Sequence, residues 1–180
     1  MGFNFPNELK VDDEINLVVL SLADAKDLHT LILRNHAYLS KYLAWAEKIS
    51  DLASTEDFIR LRVAVPGLIS GWYKVYVNNQ LCGIFGAKSV IDNRAELGCF
   101  IAEDYQGQGI INRCMLFFTE YLSREFQVSM IEWRCLADNK ASIKVVERFG
   151  AVLDDVEVGT IAGSDEMQRL CVYRKQIAKV

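Results

Sequence analysis

The spacing of hydrophobic and polar positions changes several times along the chain, and each change marks an element. Glu14 to Leu20 (EINLVVL) is a short, β-rich apolar run. Ser21 and Asp24, three apart, make a capping-box pattern that opens a helix. Leu28, Leu31, Ile32, Leu39 and Leu43 then recur at helical spacing up to Trp45, which predicts two short helices. The cap signature returns at Ser54 and Asp57 before Phe58, Leu61 and Val65, and Pro66-Gly67 stops that helix. From Trp72 the period drops to that of strands. Trp72 to Val77, the turn Asn78-Asn79 and Leu81 to Val90 read as a hairpin, because Asn tolerates the positive φ of a tight turn. Ala95 to Ala102 follows the turn Asp92-Asn93 as a third strand.

After Gln106-Gly107-Gln108-Gly109, the residues Ile110, Cys114, Phe117, Phe118 and Tyr121 mark the buried stripe of a long helix. Met130 to Leu136 is a further strand, and Asp138-Asn139 leads into a helix with Ile143, Val146 and Phe149 inward and Gly150 as its left-handed cap. Ala151 to Val158 and Met167 to Tyr173 close the chain as strands joined through Gly159 to Asp165. The order β α α α β β β α β α β β predicts an α/β (α+β) fold, a mixed, mostly antiparallel sheet with helices on both faces. No repeat, linker or low-complexity tract divides residues 1–180, so one domain is expected.

Composition narrows the function classes. At 180 residues and 51% apolar the chain can bury a sizeable core, and its net charge of −4 comes without any long run of like charges. That excludes a nucleic-acid groove or an anionic membrane surface as the main partner. Five cysteines (Cys82, Cys99, Cys114, Cys135 and Cys171), an odd count with no C-x-x-C pair, read as reduced core residues and give neither disulfides nor zinc. His29 and His36 lack a third ligand type, so no metal is expected and both take structural or surface roles. With no apolar run near 18 residues and no signal at Met1 to Pro6, the expected location is the cytoplasm.

The chemistry concentrates at Gln106 to Gly109. Strand, glycine turn, then helix lets backbone approach a ligand, and the free N–H groups and positive dipole end favour a phosphate or pyrophosphate. A nucleoside triphosphate would want G-x-x-x-x-G-K-[ST], which is absent; a dinucleotide-binding oxidoreductase would want a third glycine where Asn112 stands. Coenzyme A is the third candidate.

These residues resemble the GNAT acetyltransferases, whose motif of Gln or Arg, two residues, Gly, one residue and Gly or Ala falls on Gln106, Gly109 and Ile111. Ile111 departs from the general motif but resembles the RimJ/RimL ribosomal-protein N-terminal acetyltransferase branch. Asn93 to Gly98 (NRAELG), Asn139-Lys140-Ala141-Ser142 with Glu147, Arg148 and Gly150, and Leu39 to Trp45 (LSKYLAW) extend the likeness over about residues 14 to 175. Cys99-Phe100, Ala151 and the absence of an Asp near Arg169 are departures close to the family's acceptor site.

The resemblance implies direct acetyl transfer from acetyl-CoA to a primary amine. Gln106, Gly107, Gln108, Gly109, Ile110, Ile111 and Asn112 would hold the pyrophosphate; Phe100, Ile101 and Ala102 would pair with the pantetheine arm, which Asn139 would also touch. Glu96 would be the base, Ser142 the proton donor to the departing thiolate, and Trp45 an acceptor contact. The expected acceptor is the N-terminal α-amine of a ribosomal or other protein. Small polyamines or amine drugs are the runner-up, a non-catalytic acyl-CoA-binding module is a further alternative, and a homodimer is a candidate assembly. His36 to Ala53 sets Lys41 and Lys48 against Glu47 and Asp51 among aromatics, a lining too neutral for a polycation.

Overall fold

The computed structural model describes residues 5–64, 67, 69–160 and 165–178. Two strands, β1 (Glu8–Lys10) and β2 (Ile15–Val19), precede four helices, α1 (Ala25–Arg34), α2 (His36–Leu39), α3 (Ala44–Glu47) and α4 (Leu52–Val63). An antiparallel run of β3 (Ile69–Val77), β4 (Gln80–Ile91) and β5 (Arg94–Ile101) follows. Then come α5 (Ile110–Phe126), β6 (Met130–Leu136), α6 (Lys140–Phe149), β7 (Val152–Gly159) and β8 (Gln168–Gln176). The described strands form one sheet ordered β1-β2-β3-β4-β5-β6-β8-β7. All its neighbours are antiparallel except β5 and β6. It is the mixed, mostly antiparallel sheet that the pattern predicts.

Strand alternation divides the core between two faces. On one, α5 and α6 pack over Ala95, Leu97, Ile131 and Trp133. Phe118 is the centre of that core, ringed by Phe5, Tyr73, Phe85 and Tyr121 at centroid distances of 6.2, 5.8, 5.4 and 5.8 Å. On the other, α1 to α4 cover Trp72, Ile84 and Phe100 through Leu28, Ile32, Leu39, Ala46 and Phe58. Burying each such Leu, Ile or Phe contributes about 1.5–3 kcal/mol, so the helical layer is held by its apolar face rather than by helix length.

Several local expectations need correction. Residues 25–47 form three helices, not two, broken at Asn35, whose side-chain amide donates to Leu31 O and whose Oδ1 accepts from Glu103 N at 2.9 Å. Helix α4 starts at Leu52 and is capped by Asp51; Ser54 is the third residue of that capping box, while Asp57 pairs with Arg60. Edge strand β1 was not predicted at all, since three residues of exposed, half-buried, exposed pattern carry no periodic signal. The predicted stop at Pro66, together with Val65, Met1 to Asn4 and residues 161–164, lies outside the described residues.

The decisive feature lies between β5 and β6. They pair only from Arg94↔Met130 to Leu97↔Trp133. Beyond that point residues 98–101 stay with β4 and residues 134–136 stay with β8, so the sheet splays into a V. At its apex Glu96 and Glu132 are register partners, an unfavourable pairing by itself. Cations resolve it: buried Glu132 accepts from Arg134 Nε at 2.8 Å and Arg174 Nε at 2.7 Å, with Arg94 Nε at 3.8 Å. Burial alone would raise the Glu132 carboxyl, but Arg174 and Arg134 outweigh it and hold the group below the usual carboxylate range.

Replacing Glu132 with Gln is therefore expected to cost about 2 kcal/mol at neutral pH, the arginines being partly solvated. The folded value lies below the unfolded one, so this contribution is full above roughly pH 4.3 and is lost as pH falls through the folded value. Urea unfolding across pH checks this: the gap between wild type and Glu132→Gln should close on acidification. Equal midpoints at neutral pH would contradict it.

Candidate active site

The V opens into a cleft of about 720 Å³ that runs from the start of α5, between β5 and β6, to the layer of α2, α3 and α4. Its β5 wall is an unpaired strand edge. Ala102 N donates to Cys82 O at 2.7 Å, so alternation turns the peptide groups of Phe100 and Ala102 toward β4 and those of Cys99 and Ile101 into the gap. Of the three predicted backbone contacts, Ile101 faces the cleft with its N–H and C=O. Cys99, expected from sequence only as a core cysteine and a departure near the acceptor site, shares that role, while Phe100 lines the cleft with its side chain.

At one end Gly107 and Gly109 have φ of 71° and 74°, a left-handed backbone that other residues adopt only with strain. A Cβ at either would meet nothing within 4 Å, so the space beside the turn is open. The first bond of α5 is Arg113 N to Gly109 O, leaving the N–H groups of Ile110, Ile111 and Asn112 without helical acceptors. Gln106 lines the same cleft, and its buried Nε2 has no partner among the described residues. Gln108 alone of this run is off the wall, its amide donating to Asp104 O at 2.9 Å. Exposed Lys144 and Arg148, on α6, add positive charge to the lining. Together these groups suit a pyrophosphate.

Midway along the cleft, Asn139 Oδ1 accepts from Ser142 N at 3.1 Å and caps α6. Ser142 Oγ accepts from Trp133 Nε1 at 2.9 Å. An indole only donates, so the Ser142 hydroxyl still carries a proton, which faces the neighbouring Cys135 sulfur. The adjacent cleft thiol, Cys135, is pushed up to about 11 by burial. His29 is engaged with Thr55 Oγ1 at 2.8 Å, and neither histidine lines the cleft. A protonated thiol without an imidazole is not an activated nucleophile.

Glu96 does not line the cleft. Its Oε1 is 2.9 Å from Lys88 Nζ and its Oε2 4.0 Å from Arg134 Nε. Lys88 reaches it by lying across Gly98, where a Cβ would stand 2.6 Å from Lys88 Cε and would push the lysine stem aside. Beyond it, Tyr42, Trp45, Trp72 and Arg62 form the far end, while Tyr38 stands beside Gln106. Trp45 packs 4.3 Å from Phe58 and 5.4 Å from Phe100, between centroids, so it is both core and wall. Among the described residues, five cations (Arg62, Lys88, Arg134, Lys144 and Arg148) and one carboxylate, Glu147, line the whole cleft. The cationic lining was not legible in the sequence, because it is gathered from α4, β4, β6 and α6.

A family model described as an acetyltransferase (GNAT) domain matches residues 14–152. A Bacillus subtilis (strain 168) protein, YdaF, which carries a provisional ribosomal N-acetyltransferase name, is 27% identical over 148 residues, covering 78% of this chain and 79% of its own. The ribosomal-protein-serine acetyltransferase of Escherichia coli (strain K12) is 22% identical over 149 residues, covering 81% and 83%. Among solved structures, RimL, a ribosomal alpha-N-protein acetyltransferase in complex with coenzyme A, superposes with a TM-score of 0.84 at 20% identity, covering 94% of this chain and 98% of that one. The microcin self immunity acetyltransferase MccE in complex with acetyl-CoA and AMP gives 0.87 at 21% identity, covering 96% and 98%. These two likenesses speak to the fold.

Proposed function

The chain belongs to the GNAT acetyltransferase family and is an acetyl-CoA-dependent N-acetyltransferase, and on that premise we propose that it acetylates the N-terminal α-amine of a protein, with ribosomal proteins the class its relatives' names suggest. The observation that carries the choice of acceptor is the lining of the far end. No Asp or Glu stands on the cleft wall there among the described residues, whereas Arg62, Lys88 and Arg134 do. A polyamine with several ammonium groups would lose water without gaining matched charge. A chain terminus presents one amine and a backbone able to hydrogen-bond along the aromatic wall.

Bound acetyl-CoA supplies a thioester carbonyl for the amine to attack and a thiolate to leave. The N–H groups of Ile110, Ile111 and Asn112 would hold the pyrophosphate beside Gly107 and Gly109, and Gln106 would add its free amide. The Cys99 and Ile101 peptide groups would pair with the pantetheine amides, and an N–H of this edge would stabilise charge on the carbonyl oxygen. The Ser142 hydroxyl, oriented by Trp133, would donate its proton to the leaving sulfur. An α-amine with a reference pKa of about 7.7–8.0 is partly neutral near pH 7, so its remaining proton can leave through water, with Glu96, off the cleft wall and paired with the lining Lys88, as the final acceptor.

Thiol release with matched peptides tests the acceptor class. A free N-terminus should support turnover, and N-terminal blocking should abolish it. Spermidine should be a poor substrate. Equal rates on free and blocked peptides, or activity confined to spermidine, would overturn the reading.

A further inference from the structure

Three cations stand at the far end of the cleft, and two are already matched: Lys88 with Glu96, and Arg134 with Glu132 and Glu157. Arg62 has no carboxylate partner among the described residues. Its Nη1 donates to Phe58 O at 3.0 Å, which closes the last turn of α4, but its buried Nε meets no acceptor among the described residues. The guanidinium lies 3.4 Å from the Phe58 ring centroid, 5.3 Å from that of Trp72 and 5.5 Å from that of Trp45. Ring faces answer part of the charge, yet they accept no hydrogen bond in the guanidinium plane. Burial lowers this group to about 9, which still leaves it charged at neutral pH. An outward-facing helical arginine would reach water. This one lines the cleft with a buried donor unused, a costly arrangement unless a ligand supplies an acceptor.

We infer that Arg62 binds a carboxylate of the acceptor, so that the preferred substrate is a chain terminus with an acidic residue at its second or third position. The inference deepens the α-amine reading and rests on it. Position follows from reach: Arg62 lies 5.5 Å from the Trp45 ring, and that ring 5.4 Å from Phe100, beside the exposed Cys99 and Ile101 edge. The guanidinium is thus within about 11 Å of the Phe100 ring, which about three extended residues span. A planar guanidinium on the cleft wall matches the plane of a carboxylate, and its unpartnered Nε lies on the same guanidinium edge. The same chemistry could come from the carboxylate of a free amino acid, and the experiment separates the two sources.

The test measures kcat/KM on peptides that differ only by Glu or Gln at the second or third position, and on free glutamate, for wild type, Arg62→Met and Arg62→Lys. Acetyl-CoA binding by each variant serves as the check on folding. Wild type should favour the better Glu peptide over its Gln twin by ~10-fold or more, mainly through KM, the worth of one charge-assisted hydrogen bond. Arg62→Met should bring that ratio to about one, and Arg62→Lys should restore part of it. Equal wild-type values for both Glu and Gln pairs, or a preference that survives in Arg62→Met, overturns the inference while the α-amine reading stands. Inert peptides with an active, Arg62-dependent free glutamate overturn the α-amine reading and keep the carboxylate contact.

Discussion

Gly109→Val binds acetyl-CoA ~10- to 100-fold more weakly than wild type in calorimetry, and acetyl-CoA no longer raises its melting temperature. Two causes act together. Gly109 sits at φ 74° as the residue that opens α5, a conformation costing a β-branched residue about 1–2 kcal/mol, which lowers stability and tilts the N–H groups of the first turn. The side chain also occupies the open space beside the turn, where the phosphates would lie. Because no protein atom is within 4 Å of that Cβ, the fold itself absorbs the added volume, and the loss appears chiefly in the ligand. Wild-type affinity in this variant would remove the glycine turn from the site.

Ser142→Ala loses turnover by ~100-fold or more, the usual worth of a positioned proton donor, while KM for acetyl-CoA changes little. The variant keeps the α6 cap, which uses the Ser142 backbone N–H and Asn139 Oδ1. It leaves Trp133 Nε1 without its acceptor, at a cost of about 1 kcal/mol in stability. Steady-state kinetics with urea unfolding separates the two effects: a large fall in kcat beside a small fall in stability marks a chemical role. Full kcat would leave Ser142 with its cap and its side-chain hydrogen bonds as its only roles.

Turns were the most legible part of the fold. Asn78, Asn79, Asp92 and Asn93 take φ of 48°, 63°, 49° and 61°, and Gly150 takes 89°. At these positions backbone sterics leave few residue types, so local sequence reports local shape. The glycine turn was legible for the same reason. Registry was not. Which peptide groups of β5 face the cleft depends on the β4 partner, so the sequence pointed to Phe100 to Ala102 where the ladder exposes Cys99 and Ile101. Glu96 reads as a free strand carboxylate until Lys88, eight residues away across a bulge in the β4–β5 pairing, is placed on it. Arg62 reads as one more solvated charge on α4, because only the tertiary fold sets it against Phe58, Trp45 and Trp72.

The most direct measurement uses acetyl-CoA labelled with carbon-13 in its acetyl group, a peptide with both a free N-terminus and an internal lysine, and tandem mass spectrometry of the products. The cleft described here predicts label on the peptide α-nitrogen, dependent on intact enzyme and absent from the enzyme's own Cys135, whose thiol burial keeps protonated. Label on the lysine alone, label retained on Cys135 as a turnover intermediate, or no transfer to the peptide would contradict it.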